Sequence, residues 1–363
     1  MSFIVESLEL YGFRSYKHAR IDLDSQLTIF YGLNGAGKTN IVEALQLLSM
    51  GESFRKPLRQ ELINWESEQA RIVMYASDGK LKRDVEILIE DNSKIILINE
   101  KKPKSIQEMG SVLPCVVFTP DDLYIIKESS LRRRQEIDTL GSQLSFTYSK
   151  LVSEYKKIII QRNRLIKEDQ FGTDVFEAWN DRLIEVGLAL ASKRESLFYH
   201  LIPPMENYYR ELLDSDYKGQ KLSMHYESNW GKEKDEQSFR EALEKHAPEE
   251  RSRKQSLVGP HKDDLIFNIN NKTARNFASQ GQQRSIVLAW KLAQLSVVEE
   301  FTGARPLLLL DDVMSEFDQT RRRYLAGIVE NLAQTVITTA HIDYFDEDFI
   351  KKAKKVLVPN DVC

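Results

Sequence analysis

The sequence is poor in cysteine, in long apolar runs and in excess charge of either sign. Only two cysteines occur in 363 residues, Cys115 and Cys363. Two cannot build a disulfide framework or a zinc site. Cys115 lies in "PCVVF" and reads as a buried core thiol. No stretch of 18 apolar residues exists, so nothing is expected to span a membrane. The start, "MSFIVESLELYGF", lacks the basic-then-apolar pattern of a secretory leader. The cytoplasm is therefore the expected compartment. Net charge is −4, so no strongly basic nucleic-acid binder is announced by the total, and local basic patches must be sought instead. Internal repeats and low-complexity segments are also absent.

What is present is ordinary for a soluble protein: 42% hydrophobic and 29% charged residues. The length allows two or three domains, or one domain with a large insertion. "FIVESLEL" alternates as a strand, and "QLTIFYG" reads as a second, more buried one. "NIVEALQLLSM" has helical spacing. "ARIVMYA", "KRDVEILIE" and "KIILINE", joined by "SDGK" and "EDNS", read as an antiparallel meander. From about Leu131 the pattern becomes helical and continues to Pro203-Pro204, then passes through polar, charge-rich sequence to Lys254. Strand-like "DDLIFNIN", the long amphipathic "SQGQQRSIVLAWKLAQLSVVEEF", buried "RPLLLLDD", helical "QTRRRYLAGIVENLA" and strand-like "QTVITTAHI" follow. The fold class is α/β. One lobe has halves separated in sequence, residues 1–129 and 255–363, and a helical second lobe is inserted at 130–254.

Three motifs carry chemistry. Gly32-Leu33-Asn34-Gly35-Ala36-Gly37-Lys38-Thr39 satisfies G-x-x-x-x-G-K-T between a strand and a helix. Its glycines let backbone N–H groups converge at a helix N-terminus, which suits phosphate. Lys38 would contact the β and γ phosphates, and the Thr39 hydroxyl would ligate Mg²⁺. "LLLLDD" delivers Asp311 and Asp312 to a strand's C-terminal end, Asp311 to hold the metal through water and Asp312 to polarise the attacking water. In "ASQGQQRS", Ser279 and Gln282 form a capping box. Ser-x-Gly-Gln before a long helix also resembles the anion site with which one class of ATPase meets the γ phosphate of a nucleotide held by another subunit. The Asp-Asp strand thirty residues later favours that second reading.

Together these motifs resemble the ABC-type ATPase head shared by SMC, Rad50 and RecF proteins. "LYGFRSY", "VVFTPDDLYIIK", "RRRQEID", "QRNRLIK", "GPHKDDL", "SQGQQRS" and "LLLDDVMSEFD" narrow the resemblance to the RecF DNA replication and repair family. They occur in family order from about residue 5 to 345. The resemblance implies an ATPase head with an antiparallel β section plus a helical second lobe. It further implies ATP and Mg²⁺ as cofactors, an ATP-dependent homodimer and weak DNA-dependent ATP hydrolysis. It also implies binding of duplex or gapped DNA, and RecR and RecO as partners in loading RecA. Carried onto this chain, Asn34 to Asn40 hold the phosphates, and Arg14 and Ser15 approach the nucleotide. Ser279, Gln280, Gly281 and Gln282 act across the dimer, and Ser315 to Asp318 forms a D-loop in which Phe317 replaces the usual Leu. His341 stands where ABC ATPases place a switch histidine and this family often has Asp. It either senses the γ phosphate or ends the strand. No glutamine answers to the Q-loop; the turn Thr119-Pro120-Asp121 occupies its place.

For DNA, Arg132 and Arg133 (with Arg134) open the helical segment, and Lys156, Lys157, Arg164 and Lys167 share a helical face near Tyr155. They either track phosphates or form a solvated face. "RRR" at 321–323 suits dimer contacts, "KKAKK" at 351–355 a solvated helix, and His261 a structural role. The competing functions are a nucleotide-binding subunit of an ABC transporter, a coiled-coil DNA organiser and a small-molecule kinase. The organiser needs several hundred heptad residues, absent here. The kinase would have no use for Ser279, Gly281 and Gln282.

Overall fold

A computed structural model describes residues 3–103, 113–213, 219–231, 233–330 and 334–358. Cys363 lies outside the described residues, as does the 331–333 end of the helix expected after Gln319. The chain divides into two compact units, Met1–Leu123 with Val287–Cys363, and Tyr124–Ile286.

In chain order the first unit begins with β1 (Ile4–Phe13) and β2 (Tyr16–Asp22). β3 (Leu27–Tyr31), α1 (Lys38–Met50), β4 (Ala70–Ser77), β5 (Lys82–Ile89), β6 (Lys94–Ile98) and β7 (Cys115–Phe118) follow. The second unit holds α2 (Ser130–Leu144), α3 (Phe146–Lys167), α4 (Asp174–Glu211), β8 (Leu222–Glu227), α5 (Glu236–Arg253), β9 (Asp264–Ile269) and β10 (Lys272–Thr273). α6 (Gln280–Thr302) contains the boundary at Val287. The first unit then closes with β11 (Leu307–Asp311), α7 (Gln319–Val329), β12 (Thr335–Thr339) and β13 (Lys354–Leu357).

Two five-stranded sheets build the first unit. The antiparallel one runs β2-β1-β4-β5-β6, and the meander β4-β5-β6 is as the sequence suggests. The other runs β13-β3-β12-β11-β7 with all pairs parallel. Every residue of β11 and β12 is buried, as a parallel sheet covered on both faces requires. Ile41, Val42, Leu45 and Leu48 of α1 join one core with Leu8, Ile72 and Ile87 of the antiparallel sheet and Leu309 and Val336 of the parallel one. The P-loop helix is thus clamped by apolar contact on both sides.

Several elements differ from the sequence expectation. β2 departs from the sequence reading; beyond buried Tyr16 its residues are exposed or half-buried, which gives little apolar signal. α4 runs straight through Pro203 and Pro204 to Glu211. Its buried stripe Phe198, Leu201, Met205, Tyr209 continues across them, so tertiary packing outweighs two lost backbone donors. The polar stretch before Lys254 contains β8 and α5. The second unit extends past 254 because Met224 of β8 pairs with Phe267 of β9, binding the later strand to the inserted segment. Lys354 and Lys355 lie in edge strand β13 instead of a helix, a position where lysine discourages further pairing.

Candidate functional site

β3 ends at Tyr31 and the chain turns through the glycine-rich loop into α1. Gly37 is left-handed (φ 94), and a Cβ there would sit 2.7 Å from Ser15 Oγ. Gly32 (φ 149) has the Val358 carbonyl oxygen 2.5 Å from where a Cβ would be. Both positions therefore exclude other residues. Tyr16 reinforces the loop by donating to the Gly37 carbonyl at 3.1 Å. Lys38 Nζ donates to the carbonyls of Gly32 and Leu33, each at 2.8 Å. Burial lowers its pKa, against the attraction of Asp312 and Asp311.

The parallel register brings the carboxylates to this loop. Asp311 pairs with Thr338 across β11 and β12. Its Oδ1 accepts from Thr338 Oγ1 at 2.7 Å and from Thr39 Oγ1 at 3.0 Å. Burial raises its pKa while these two hydroxyls lower it. Asp312 is left-handed (φ 53). Its N–H donates to Thr338, at 3.1 Å to both the carbonyl oxygen and Oγ1. Its Oδ1 is buried and, among the described residues, has no hydrogen-bond partner. Burial raises its pKa, and Lys38 is the chief opposing influence. A buried polar atom without a partner is costly unless a ligand supplies one.

Around this centre, Ser315 Oγ donates to the Asp312 carbonyl at 2.7 Å, and Asp318 caps α7 by accepting from Arg321 N–H at 2.9 Å. Phe317 is buried edge-on against Phe118, 5.8 Å between centroids. His341 lies just beyond β12. Its N–H donates to Thr339 Oγ1 at 3.2 Å, and its side chain is 63% exposed. At the turn Pro120–Tyr124, Asp122 accepts from Thr119 N–H at 2.8 Å and pairs with Lys291 of α6 at 3.1 Å. The Asp122 carboxylate holds that turn together.

Arg14 is engaged elsewhere than expected. Its Nε and Nη2 donate to Glu43 at 2.9 and 2.8 Å, and its Nη1 to the Glu61 carbonyl at 2.6 Å. Glu43 is fully buried and also accepts from Ser53 at 2.5 Å and Arg55 at 3.3 Å. Asn40 donates to Ser15 Oγ at 3.0 Å and accepts from Arg55 at 3.1 Å. Glu43, Arg55 and Thr338 were not singled out from sequence. A carboxylate inside the apolar stripe of "NIVEALQLL" was the available sign for Glu43.

In the second unit, Ser279 and Gln282 form the capping box: Ser279 N–H donates to Gln282 Oε1 at 2.7 Å and Gln282 N–H to Ser279 Oγ at 3.3 Å. Gln282 also donates to Gln220 at 3.0 Å. Ser279 and Gln280 are exposed, and Gly281 and Gln282 are half-buried.

The basic candidates separate. Lys156, Lys157, Arg164 and Lys167 are exposed on α3, and their spacing places them on one side, opposite buried Tyr155, Ile158, Arg162 and Ile166. Arg164 pairs with Glu168 at 2.9 Å. Arg133, expected to face DNA, is instead buried; it holds Asp264 through two bonds of 2.7 and 2.9 Å and donates to three carbonyls. Arg134 is buried too, and Arg132 is half-buried beside Glu128 at 3.8 Å. Tyr155 points inward and donates to His261 Nδ1 at 2.8 Å, while His261 Nε2 donates to the Ser256 carbonyl at 3.0 Å. Burial lowers the His261 pKa to about 4. Arg321 is buried and paired with Asp318.

The family model described as RecF/RecN/SMC N terminal domain matches residues 4–358. The DNA replication and repair protein RecF of Clostridium tetani is 32% identical, covering 99% of both chains. That of Ruminiclostridium cellulolyticum is 36% identical over 94% of each. The solved structure of the recombination mediator protein RecF-ATP in the RecFOR pathway is similar at 31% identity, covering 95% of this chain and 94% of that one, with a TM-score of 0.86. The Smc head domain from Pyrococcus furiosus, 16% identical with a TM-score of 0.55, shares the fold.

Proposed function

The chain belongs to the RecF DNA replication and repair family, and from that premise we propose that it is an ATP-operated switch for DNA repair. ATP closes two copies into a dimer, the dimer binds duplex or gapped DNA, and slow DNA-dependent hydrolysis releases it. The observation that carries the reading is the convergence of Lys38, Thr39, Asp311 and the unpartnered Asp312 Oδ1 at one loop.

The residues fit ATP and Mg²⁺. The glycine cradle has no room for a Cβ at Gly37. Thr39 and Asp311 supply the hydroxyl and carboxylate oxygens that Mg²⁺ accepts alongside phosphate oxygens. ATP would bring the phosphoanhydride whose cleavage resets the dimer. Lys38, held by two carbonyls it can exchange for phosphate oxygens, neutralises charge. Asp312, its carboxyl raised by burial, is suited to accept a proton from water. Ser279, Gln280, Gly281 and Gln282 would complete the site of the other copy from the start of a helix. Ser315 and Asp318 would cross the interface. His341 would sense the γ phosphate, and Arg14 and Ser15 would act by bracing the loop. Lys156, Lys157, Arg164 and Lys167 would track DNA phosphates. RecR and RecO are the proposed partners, and the cytoplasm the compartment. The relatives above, repair proteins and Smc heads, do not favour the transporter-subunit alternative.

The test is sedimentation with ATP and Mg²⁺. Asp312→Asn should block turnover and accumulate an ATP dimer that binds gapped DNA in a salt-sensitive way; Lys38→Met should stay monomeric. An Asp312→Asn protein that remains monomeric with ATP and ignores DNA at low salt would sink the reading.

A further inference from the structure

The turn after β11 and the segment after β12 meet through two side chains that the nucleotide reading leaves unused. Arg322, in the first turn of α7, donates from Nε to the Met314 carbonyl at 2.8 Å. Met314 lies in the single turn Val313–Glu316, directly after Asp312. The Arg322 guanidinium stands over the ring of Tyr344, 4.2 Å from its centroid. Tyr344 in turn meets His341 edge-on at 5.5 Å. On the other side Ser315 Oγ holds the Asp312 carbonyl. The contacts thus lead from Asp312 through Ser315, Met314, Arg322 and Tyr344 to His341.

This chain of contacts matters because His341 is otherwise loosely held. Its side chain is mostly exposed, and its nearest acidic partner, Asp343, is 4.0 Å away. An exposed imidazole has several rotamers, and fixing one costs entropy. Tyr344 narrows that choice with an aromatic edge contact. Arg322, half-buried and tied to backbone, holds Tyr344 by a cation–π contact.

We propose that Arg322 and Tyr344 are positioning residues that transmit the placement of the Ser315–Asp318 turn to His341. Engagement of that turn by a second copy then sets the imidazole relative to Asp312, and hydrolysis waits for dimerisation. The inference rests on the ATP-dimer reading above.

The test compares wild type, Tyr344→Ala, Tyr344→Phe, Arg322→Met and the double variant Arg322→Met/Tyr344→Ala. It measures ATP affinity, ATP-driven dimerisation and steady-state turnover. Tyr344→Ala should bind ATP and dimerise as wild type does, with kcat reduced about tenfold or more and KM nearly unchanged, and Arg322→Met should show the same fall in kcat. Tyr344→Phe, which keeps the ring, should recover most of the loss. The double variant should fall no further than the singles, because both act through one chain of contacts. Wild-type kcat in Tyr344→Ala would overturn the proposal, as would a Tyr344→Phe as impaired as Tyr344→Ala. Loss of dimerisation with kcat intact would overturn it too. A wild type that neither dimerises with ATP nor hydrolyses it would fail the underlying reading instead, and the proposal with it.

Discussion

Replacing Arg133 by Met separates two roles for the basic start of α2. The side chain is 3% exposed. It makes two charge-assisted bonds to Asp264 and donates to the carbonyls of Ile125, Ile126 and Glu128 at 2.7, 3.3 and 2.9 Å. Methionine fills similar space but supplies none of these donors, and Asp264 is left without its cation. Breaking a buried pair from one side costs about 3–5 kcal/mol. In a unit of this size each kcal/mol moves the midpoint by roughly 2–4 °C, so the melting temperature should fall by about 10 °C. The assay is scanning calorimetry, with DNA affinity measured well below the melting point. Affinity there should match wild type. Removing both charges, Arg133→Met with Asp264→Leu, should recover part of the loss. A single variant that melts within 2 °C of wild type (roughly the shift of 1 kcal/mol or less) yet binds DNA weakly would refute the argument. Arg133 would then face phosphates after all.

The exposed face of α3 predicts the reverse pattern. Lys156→Gln, Lys157→Gln and Lys167→Gln together should leave the melting temperature unchanged. The dependence of log affinity on log salt should flatten by about one unit for each DNA phosphate no longer neutralised; an unchanged slope would exclude this face from DNA. The second unit also carries opposed titrations. His261, lowered to about 4, stays neutral while the unfolded chain protonates, so stability is lost as pH falls from 6.5 toward 4. Asp263, raised by burial to about 6, protonates first in the folded chain, so stability is gained as pH falls from 6 toward 3.8. Each effect amounts to roughly 3 kcal/mol at full extent. They largely cancel in the wild type. Asp263→Asn removes the gain, so between pH 7 and 5 it should lose about 1 kcal/mol more than wild type. Parallel thermal melts of the two proteins across that range would contradict this.

How far the sequence reached follows from the physics of each signal. The glycine turn was legible because glycine is required where φ is positive and a neighbour occupies the Cβ position, as at Gly37. Asp311 stands out because it ends a fully buried run, where a carboxylate needs partners, and the Thr39 and Thr338 hydroxyls supply them. The capping box Ser279–Gln282 is local, so four residues suffice to specify it. Arg14 and Arg133 take partners that the sequence does not reveal, for one reason. An arginine looks the same in sequence whether it faces water or a buried carboxylate, and Glu43 and Asp264 lie 29 and 131 residues away. Pro203 and Pro204 misled because local propensity was outweighed by a buried stripe that runs past them.

By itself, then, the sequence determined whatever rests on short-range geometry: the glycine turn, the strand and helix periods, the helix cap and the order of the family's blocks. Tertiary structure alone decided which charges are paired and which are free to meet a ligand. It placed Thr338 against Asp311, left Asp312 Oδ1 without a partner and set Arg322 between Met314 and Tyr344. Those outcomes depend on the parallel register of β11 and β12 and on α7 packing back toward the turn before it. Desolvation and pairing are properties of the folded neighbourhood, and no residue carries them in its name.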